Sequence, residues 1–487
     1  MKRLIDILYK CRIIRVIGNN DILIDKITFD SRDLSKKSVF IAIKGTMTDG
    51  HNYIEQVVQG GVVAVVCENL PEEIDIRVCY ILVKDSAETL AYMACNYYDN
   101  PSEKIHLIGI TGTNGKTTTA TLLYDLYRSA GYKTGLISTV KNCIHNKVFQ
   151  TKHTTPDPLQ LNALLSEMVE FGCEYCFMEV SSHAIVQHRI TGLKYRGGIF
   201  SNLTHDHLDF HKTFESYRDA KKGFFDKLPA DAFALINIDD KNGRFMVQNT
   251  KAKVVTMAIK TAADYHCKVL ENQFDGLLLN INGKEVWTHL VGEFNAYNIL
   301  AIYAATRLLS LDEQEALVAL SKLQPVDGRF EYFRSTDGIV AIVDYAHTPD
   351  ALKNVIDTIN AIRAGLGKLI TVVGAGGDRD KSKRPVMARI AAEGSNMVIL
   401  TSDNPRTEDP KVILSEMNAG IPIDKKKRSL TITDRRQAIK TACNMANDGD
   451  VILVAGKGHE TYQEINGERF HFDDREQIKE FFYNNNE

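Results

Sequence analysis

The chain has 487 residues, enough for roughly three domains at about 150 residues each. Its 59 Lys and Arg against 62 Asp and Glu leave a net charge of −3, which speaks against a general polyanion binder. A composition 44% hydrophobic and 25% charged excludes wholesale disorder, and the length suffices for several cores without staples.

No membrane span is expected, because the uncharged stretch from Phe294 to Thr306 has 13 residues against the roughly 18 a crossing helix needs. Asp6, Lys10 and Arg12 interrupt the N-terminal apolar residues, so no signal peptide is expected either. The nine cysteines are odd in number and thinly scattered, which suits a reducing cytoplasmic compartment.

Val62 to Cys67, behind Gly60-Gly61, reads as a buried strand, Ile81 to Val83 as another, and 89–98 as a helix. Asp99-Asn100-Pro101-Ser102 is turn-rich and closes a first domain over 1–101. Ile105 to Ile110 then reads as a strand, followed by a Gly/Thr loop and a helix with Ala120, Leu123, Leu126, Tyr127 and Ala130 on one face. Gly131 ends that helix. Further strands are expected at Gly135 to Ser138, Cys176 to Val180, Gly198 to Leu203, Ala232 to Ile238 and Val254 to Ala258. Strands alternating with helices imply a mostly parallel, doubly wound sheet. Leu277 to Ile281 and Glu285 to His289, joined through Asn282-Gly283, suit an antiparallel hairpin with a type I′ turn.

Turn chemistry over Gln324 to Arg329 places the second boundary, giving 102–324 and 325–487. Ile339 to Val343, Leu369 to Val373, Met397 to Leu400 and Val451 to Ala455 then form a second open α/β sheet with its loops at the carboxyl ends of the strands. Lys425 to Arg428 reads as a solvated turn.

Thr111-Gly112-Thr113-Asn114-Gly115-Lys116-Thr117 sits between an expected strand and an expected helix, the context of a phosphate loop. Backbone amides turn toward the anion and the helix N-terminus adds a favourable dipole. Lys116 supplies charge for the β- and γ-phosphates and the Thr117 hydroxyl suits Mg²⁺. The position five before Gly115 is Ile110 rather than Gly, so the match to the general pattern is incomplete.

Glu179 ends an expected strand and so faces the loop region. His205, His207 and His211 have the residue type of a zinc cluster, but on spacing alone a polar surface loop ranks higher. Beside a phosphate loop, hard oxygen ligands and Mg²⁺ make better sense. Lys221 and Lys222 lie on a helical stretch, where a lysine pair ordinarily marks a solvated face. Cys173 and Cys176 have a C-x-x-C spacing without a second pair and read as core thiols.

Several motifs together resemble the Mur ligase family: Gly112 to Thr117, Glu179-Val-Ser-Ser-His183, Asn202-Leu-Thr-His-Asp-His207, Gly292 to Asn298, Gly328-Arg-Phe330, Asp344 to Pro349 and Gly456-Lys-Gly-His-Glu460. They run in the family's order through all three expected domains. Phe29-Asp-Ser-Arg32, Phe40 to Gly45 and Asp49-Gly-His51 resemble the UDP-sugar domain of members that add the third peptide residue, and His153 to Asp157 resembles their loop that meets the muramoyl-peptide. Asp403-Asn-Pro-Arg406 resembles the tetrapeptide of members that add meso-diaminopimelate; lysine-adding members usually lack the Arg. A guanidinium fork suits the distal carboxylate that lysine does not have.

The resemblance implies a three-domain α/β fold: a small N-terminal α/β domain that binds UDP-sugar, a central P-loop ATPase-like domain with a mostly parallel sheet, and a C-terminal Rossmann-like α/β domain that binds the amino acid. It implies ATP-dependent amide formation through an acyl phosphate in peptidoglycan precursor synthesis, with UDP-N-acetylmuramoyl-dipeptide, meso-diaminopimelate and ATP as small-molecule partners. L-lysine is the alternative acceptor, and a nucleotide-binding interaction protein without turnover is a remoter one. Lys116, Glu179, His207 and Lys221 would be catalytic; Thr117, Glu179, His207 and a carbamylated Lys221 would hold Mg²⁺. Nucleotide contacts would come from Gly112, Thr113, Asn114, Gly115, Thr117, Thr118, Asn295, Asn298, Arg329, Asp344 and His347. Ser31, His51, Thr154, Thr155, Ser181, Gln187 and Arg189 would meet the muramoyl-peptide substrate. Arg379, Asp403, Asn404, Arg406, Gly456 and Glu460 would form the amino-acid pocket. A cytoplasmic monomer without nucleic-acid or membrane partners is expected, with domain closure completing the site.

Overall fold

The computed structural model describes residues 1–45, 48–151, 154–206 and 208–483. His207, and with it one of the four expected catalytic positions, lies outside the described residues, as does His153.

Three main sheets organise the chain in the expected α/β manner. The first has five strands in the order Ile13–Ile17, Cys79–Val83, Ala64–Cys67, Ser38–Ile41, Lys26–Thr28, parallel except for Ile13–Ile17. The expected helix is Ser86–Tyr97, begun by the Asp85 carboxylate accepting from the Glu88 N–H.

The central sheet has eleven strands. Their order is Lys147–Phe149, Asn142–Ile144, Thr134–Ile137, Tyr175–Glu179, His106–Thr111, Gly197–Phe200, Phe233–Asn237, Lys253–Ala258, Tyr265–Gln273, Gly276–Ile281, Lys284–Thr288. The run from Thr134–Ile137 to Tyr265–Gln273 is parallel, and antiparallel strands finish both edges. His106–Thr111 lies where the order reverses: the chain builds outward on one side, then crosses to Gly197–Phe200 on the other. Ligands of such sheets bind beyond the carboxyl ends of the strands at this switch point, and the phosphate loop leaves from there. The Asn-Gly hairpin is present, with Ile281 opposite Lys284 and both turn residues left-handed (Asn282 φ 47°, Gly283 φ 88°), the geometry of a type I′ turn.

The last sheet has six strands in the order Glu331–Arg334, Val340–Asp344, Val451–Ala455, Leu369–Val373, Met397–Leu400, Ser429–Thr431, all parallel but the first. Its four expected strands are fully or nearly fully buried, which is why they read as continuous apolar runs. The basic run forms a short 3₁₀ turn over Ile423–Arg428 without buried residues.

The ordinary reading of a lysine pair as a solvated face does not hold here. Lys221 and Lys222, on the helix Phe214–Asp226, are both buried, 1% and 8% exposed, rather than solvated. The helix turns this face inward because Tyr217, Phe224 and Phe225 occupy it and drive it onto the sheet. Lys222 is neutralised by Asp226 at 2.7 Å. Cys173 and Cys176 are buried thiols, and burial pushes both upward in pKa, Cys173 to about 11.

Candidate active site

A cleft of about 1570 Å³ runs from the central sheet to the last one. That exceeds the ~300–1,000 Å³ of an ordinary small-molecule pocket and leaves room for more than one ligand.

Its floor is the phosphate loop. Gly115 begins the helix Lys116–Ser129 in a left-handed conformation (φ 84°), and a Cβ there would stand 2.5 Å from Asn298 Oδ1. Only glycine lets the loop turn this tightly. Thr113, Asn114, Gly115, Lys116, Thr117 and Thr118 line the cleft, and Gly112 sits just behind them. The loop is braced from the neighbouring strand end: Asn202 accepts from the Thr113 N–H through its carbonyl and from the Asn114 N–H through its side chain, at 2.8 and 2.9 Å. Ser201 Oγ donates to the Asn114 carbonyl at 2.6 Å.

Two lysines converge on one carbonyl. Lys116 Nζ donates to Gly112 O at 2.9 Å and Thr113 O at 2.7 Å. Lys221 Nζ reaches the same Gly112 O at 2.8 Å from beneath. Two ammonium groups on one oxygen repel, and burial disfavours charge further. Burial, followed by the Lys116 charge, drives Lys221 well below the ordinary lysine range. Lys221 does not line the cleft; it lies behind the loop.

Glu179 stands at the carboxyl end of its strand with its side chain fully buried, accepting from the Thr139 N–H at 2.7 Å and the Thr139 hydroxyl at 3.2 Å. Thr155 donates to the Glu179 carbonyl at 2.8 Å, and Arg189 Nη1 donates to the Thr155 carbonyl at 2.7 Å. Thr154, Thr155, Ser181 and Arg189 line this side of the cleft. Gln187 stands behind, accepting from Arg189 Nη2 at 2.6 Å. Glu179 and the Thr117 hydroxyl are hard oxygen donors on the cleft wall, a donor set that fits Mg²⁺. His211 lies against Ser182 at 2.9 Å and the His205 ring against Phe214 at 4.7 Å, each packed on a different partner.

Opposite the phosphate loop, Asn295 and Asn298 project from the helix Glu293–Leu308, and Asn298 donates to Asn295 Oδ1 at 2.9 Å. Asn237, Met257, Lys260, Asn272 and Tyr297 extend the wall beyond them. Sequence reasoning passed over these five, although Asn237 and Met257 mark carboxyl ends of expected strands. Arg329 arrives from the junction of the central and last sheets, donates to Thr117 Oγ1 at 3.3 Å and stacks over Tyr345 at 4.4 Å. Asp344 accepts from the Phe330 N–H at 2.7 Å. His347 opens onto the cleft, while the surrounding walls hold it below the usual histidine range.

The far wall belongs to the last sheet. Arg379, Asp403, Asn404, Arg406, Gly456 and Glu460 all line it. Asn404 Nδ2 donates to Glu460 Oε2 at 2.8 Å. Lys457, fully buried and given no role from sequence, donates to both Asn404 Oδ1 at 3.1 Å and Glu460 Oε2 at 3.0 Å. Asp206 of the central part and Lys383 of the last part pair at 2.7 Å across the cleft.

Ser31 and His51 are not at this cleft. Ser31 lies in a turn of the N-terminal part, between Asp30 and Arg32, which pair with each other. His51 Nε2 accepts from the Glu68 N–H at 2.9 Å, which leaves Nδ1 to donate to Asp49 at 2.7 Å.

The chain has relatives along nearly its whole length. The Mur ligase middle domain matches residues 110–306. The glutamate ligase domain of Mur ligases matches 328–458, and the Mur ligase family catalytic domain matches 23–98. A relative from Cytophaga hutchinsonii, named UDP-N-acetylmuramoyl-L-alanyl-D-glutamate--2,6-diaminopimelate ligase, is 56% identical over 98% of both chains. The chain belongs to the Mur ligase family. Another relative of the same name, from Bacteroides fragilis, is 54% identical over 99% of both chains. A solved structure bearing that name superposes with a TM-score of 0.67 at 33% identity, covering 94% of each chain. The Mur ligase fold also appears at 21% identity in the MurF ligase of Thermotoga maritima in complex with ADP, with a TM-score of 0.61 over 88% of this chain and 93% of that one. Among the described residues of this Mur ligase, no helix is long and apolar enough to cross a membrane.

Proposed function

We propose that the chain is an ATP-dependent ligase joining meso-diaminopimelate to the D-glutamyl γ-carboxylate of UDP-N-acetylmuramoyl-L-Ala-D-Glu, in peptidoglycan precursor synthesis. One observation carries this reading: a single cleft unites a phosphate loop bearing Lys116 with a wall bearing Arg406, Asn404 and Glu460. The shared name of relatives 54–56% identical over the whole chain supports it.

Two anions, the substrate carboxylate and the γ-phosphate of ATP, must meet. Lys116 and Arg329 concentrate positive charge there, and the loop amides hold the phosphates. Thr117, Glu179, Lys221 as a carbamate and His207 would hold Mg²⁺. Bound there, Mg²⁺ would supply further charge neutralisation at the phosphate oxygens. The carboxylate attacks the γ-phosphorus, giving an acyl phosphate and ADP. Arg189, Ser181, Thr154 and Thr155 orient the muramoyl-peptide for that attack. The free amine of diaminopimelate then adds to the acyl carbon, and the tetrahedral centre expels phosphate. Arg406 and Arg379 pair with the acceptor's carboxylates and Glu460 with an ammonium group.

Asn295, Asn298, Asp344 and His347 complete the nucleotide side, Asp403 and Gly456 the acceptor side, and Ser31 and His51 serve the UDP-sugar end. The functional units are 1–101, 102–324 and 325–487, acting as a cytoplasmic monomer. Phosphate release measured with each substrate omitted in turn tests the reading. Dependence on all three substrates supports it; release that does not need the UDP-sugar overturns it.

A further inference from the structure

Two loops form the acceptor end of the cleft, and each contains a non-glycine residue in the left-handed region: Asp378 (φ 53°) and Arg406 (φ 51°). Such a conformation is unfavourable for L-residues and persists only where surrounding contacts enforce it. The contacts here run between the loops. Asn404 O accepts from the Gly377 N–H at 2.9 Å, and Gly377 O accepts from Arg406 Nη1 at 2.7 Å. The Asp378 carboxylate accepts from the Thr407 hydroxyl at 2.8 Å and the Thr407 N–H at 3.2 Å. In return, Glu408 Oε1 accepts from the Asp378 N–H at 2.6 Å.

Beneath both loops lies Arg384, 1% exposed. Its guanidinium grips Glu408 through two nitrogens at 2.8 and 3.0 Å, and donates to Gly376 O at 3.2 Å. The loops touch so closely that a Cβ on Gly377 would lie 1.9 Å from Pro405 O. The hairpin Tyr462–Ile465 and Glu468–His471 closes the other side: Arg406 N–H donates to Glu464 O at 3.0 Å, and Asn466 N–H to Arg406 O at 2.7 Å. The backbone of Arg406 is thus held from one side by the hairpin, and its guanidinium is aimed from the other by the 376–378 loop.

We propose that Arg384, Glu408, Asp378 and Thr407 are positioning residues that aim the Arg406 guanidinium and thereby set the preference for an acceptor with a second, distal carboxylate. None of them needs to touch the acceptor. The inference rests on the acceptor assignment made above. A lysine side chain ends in an ammonium group and draws nothing from this arrangement, whereas a carboxylate gains only if the fork is already oriented.

The test is a double-mutant cycle on the full-length enzyme. Glu408→Ala removes both the acceptor of the Asp378 N–H and the carboxylate that Arg384 grips. Thr407→Val removes only the hydroxyl bond to Asp378, keeps the Thr407 N–H bond and leaves the buried ion pair intact, so it guards against misfolding. KM and kcat are measured for meso-diaminopimelate, L-lysine and ATP in each variant, alone and combined with Arg406→Ala. Each single variant should raise KM for meso-diaminopimelate about tenfold, as expected for residues coupled in one network. KM for ATP and turnover of lysine should not change. In the Arg406→Ala background the effects should disappear. Effects that persist in that background, or a parallel rise in KM for ATP, overturn the inference and leave a scaffold role. If Arg406→Ala itself leaves use of meso-diaminopimelate intact, the acceptor assignment fails first and the inference with it.

Discussion

Asp474→Ala should uncouple the stability of the last part of the chain from that of the centre. Asp474 and Arg435 are both 0% exposed and pair through two nitrogens at 2.7 Å. Arg435 also donates to Ala455 O at 3.1 Å, immediately before Gly456. The guanidinium cannot shed its proton, so truncating Asp474 leaves a buried charge without its partner. Breaking such a pair removes about 3–5 kcal/mol. With a urea dependence of roughly 1–3 kcal/mol per molar, the midpoint should fall by about 2 M. The chain's single tryptophan, Trp287, lies in the edge strand Lys284–Thr288 of the central sheet and reports only that part. Urea unfolding followed by circular dichroism should therefore show an early transition, while tryptophan fluorescence keeps its wild-type midpoint. Replacing both partners, Arg435→Met with Asp474→Leu, should recover most of the loss. A circular-dichroism midpoint within about 0.5 M of wild type for Asp474→Ala would refute the reasoning.

Other outcomes follow from the same geometry. Arg406→Ala should lower kcat/KM for meso-diaminopimelate about 100-fold while ATP binding, read by calorimetry, is retained. Gly115→Ala combines a left-handed φ of 84° with a 2.5 Å approach to Asn298 and should raise KM for ATP more than about tenfold. Lys221→Met should abolish ligation yet raise Tm relative to wild type kept free of CO₂, where Lys221 is an uncarbamylated amine. The folded protein holds Lys221 below its unfolded value of 10.5, so the unfolded state binds the extra proton and stability is lost below that pH. The gain in Tm should accordingly be present at pH 7 and shrink as the pH approaches 10.5. Labelled CO₂ should give a carbamate carbon signal by NMR in the wild type that is absent from Lys221→Met. A signal of equal strength in the variant would place the carbamate elsewhere.

How legible this molecule is from sequence depends on how local each signal is. The phosphate loop could be read because its glycines and Lys116 are adjacent in the chain and flanked by an apolar run. The strand Leu369–Val373 was legible because it is buried on both faces. Tyr265–Gln273 was not: it is long, half-exposed and interrupted by a bulge between Val269 and Glu271, which breaks the alternation. The hairpin beside Arg406 carried a usable signal in Asn466-Gly467, the same turn chemistry that revealed Asn282-Gly283. The burial of Lys221 had a local signal in the aromatic face of Tyr217, Phe224 and Phe225, but the carbonyl it meets lies 109 residues away in sequence and had none. The pairing of Lys383 with Asp206, separated by 177 positions, was invisible for the same reason. Motifs fixed by neighbouring residues are read directly; those assembled across the cleft need the fold.

The most direct test of the account is ATP-dependent phosphate release with UDP-N-acetylmuramoyl-L-Ala-D-Glu, Mg²⁺ and either meso-diaminopimelate or L-lysine. The account predicts rapid release with diaminopimelate and little with lysine, since only the former presents a carboxylate to Arg406. Equal or faster release with lysine would contradict it.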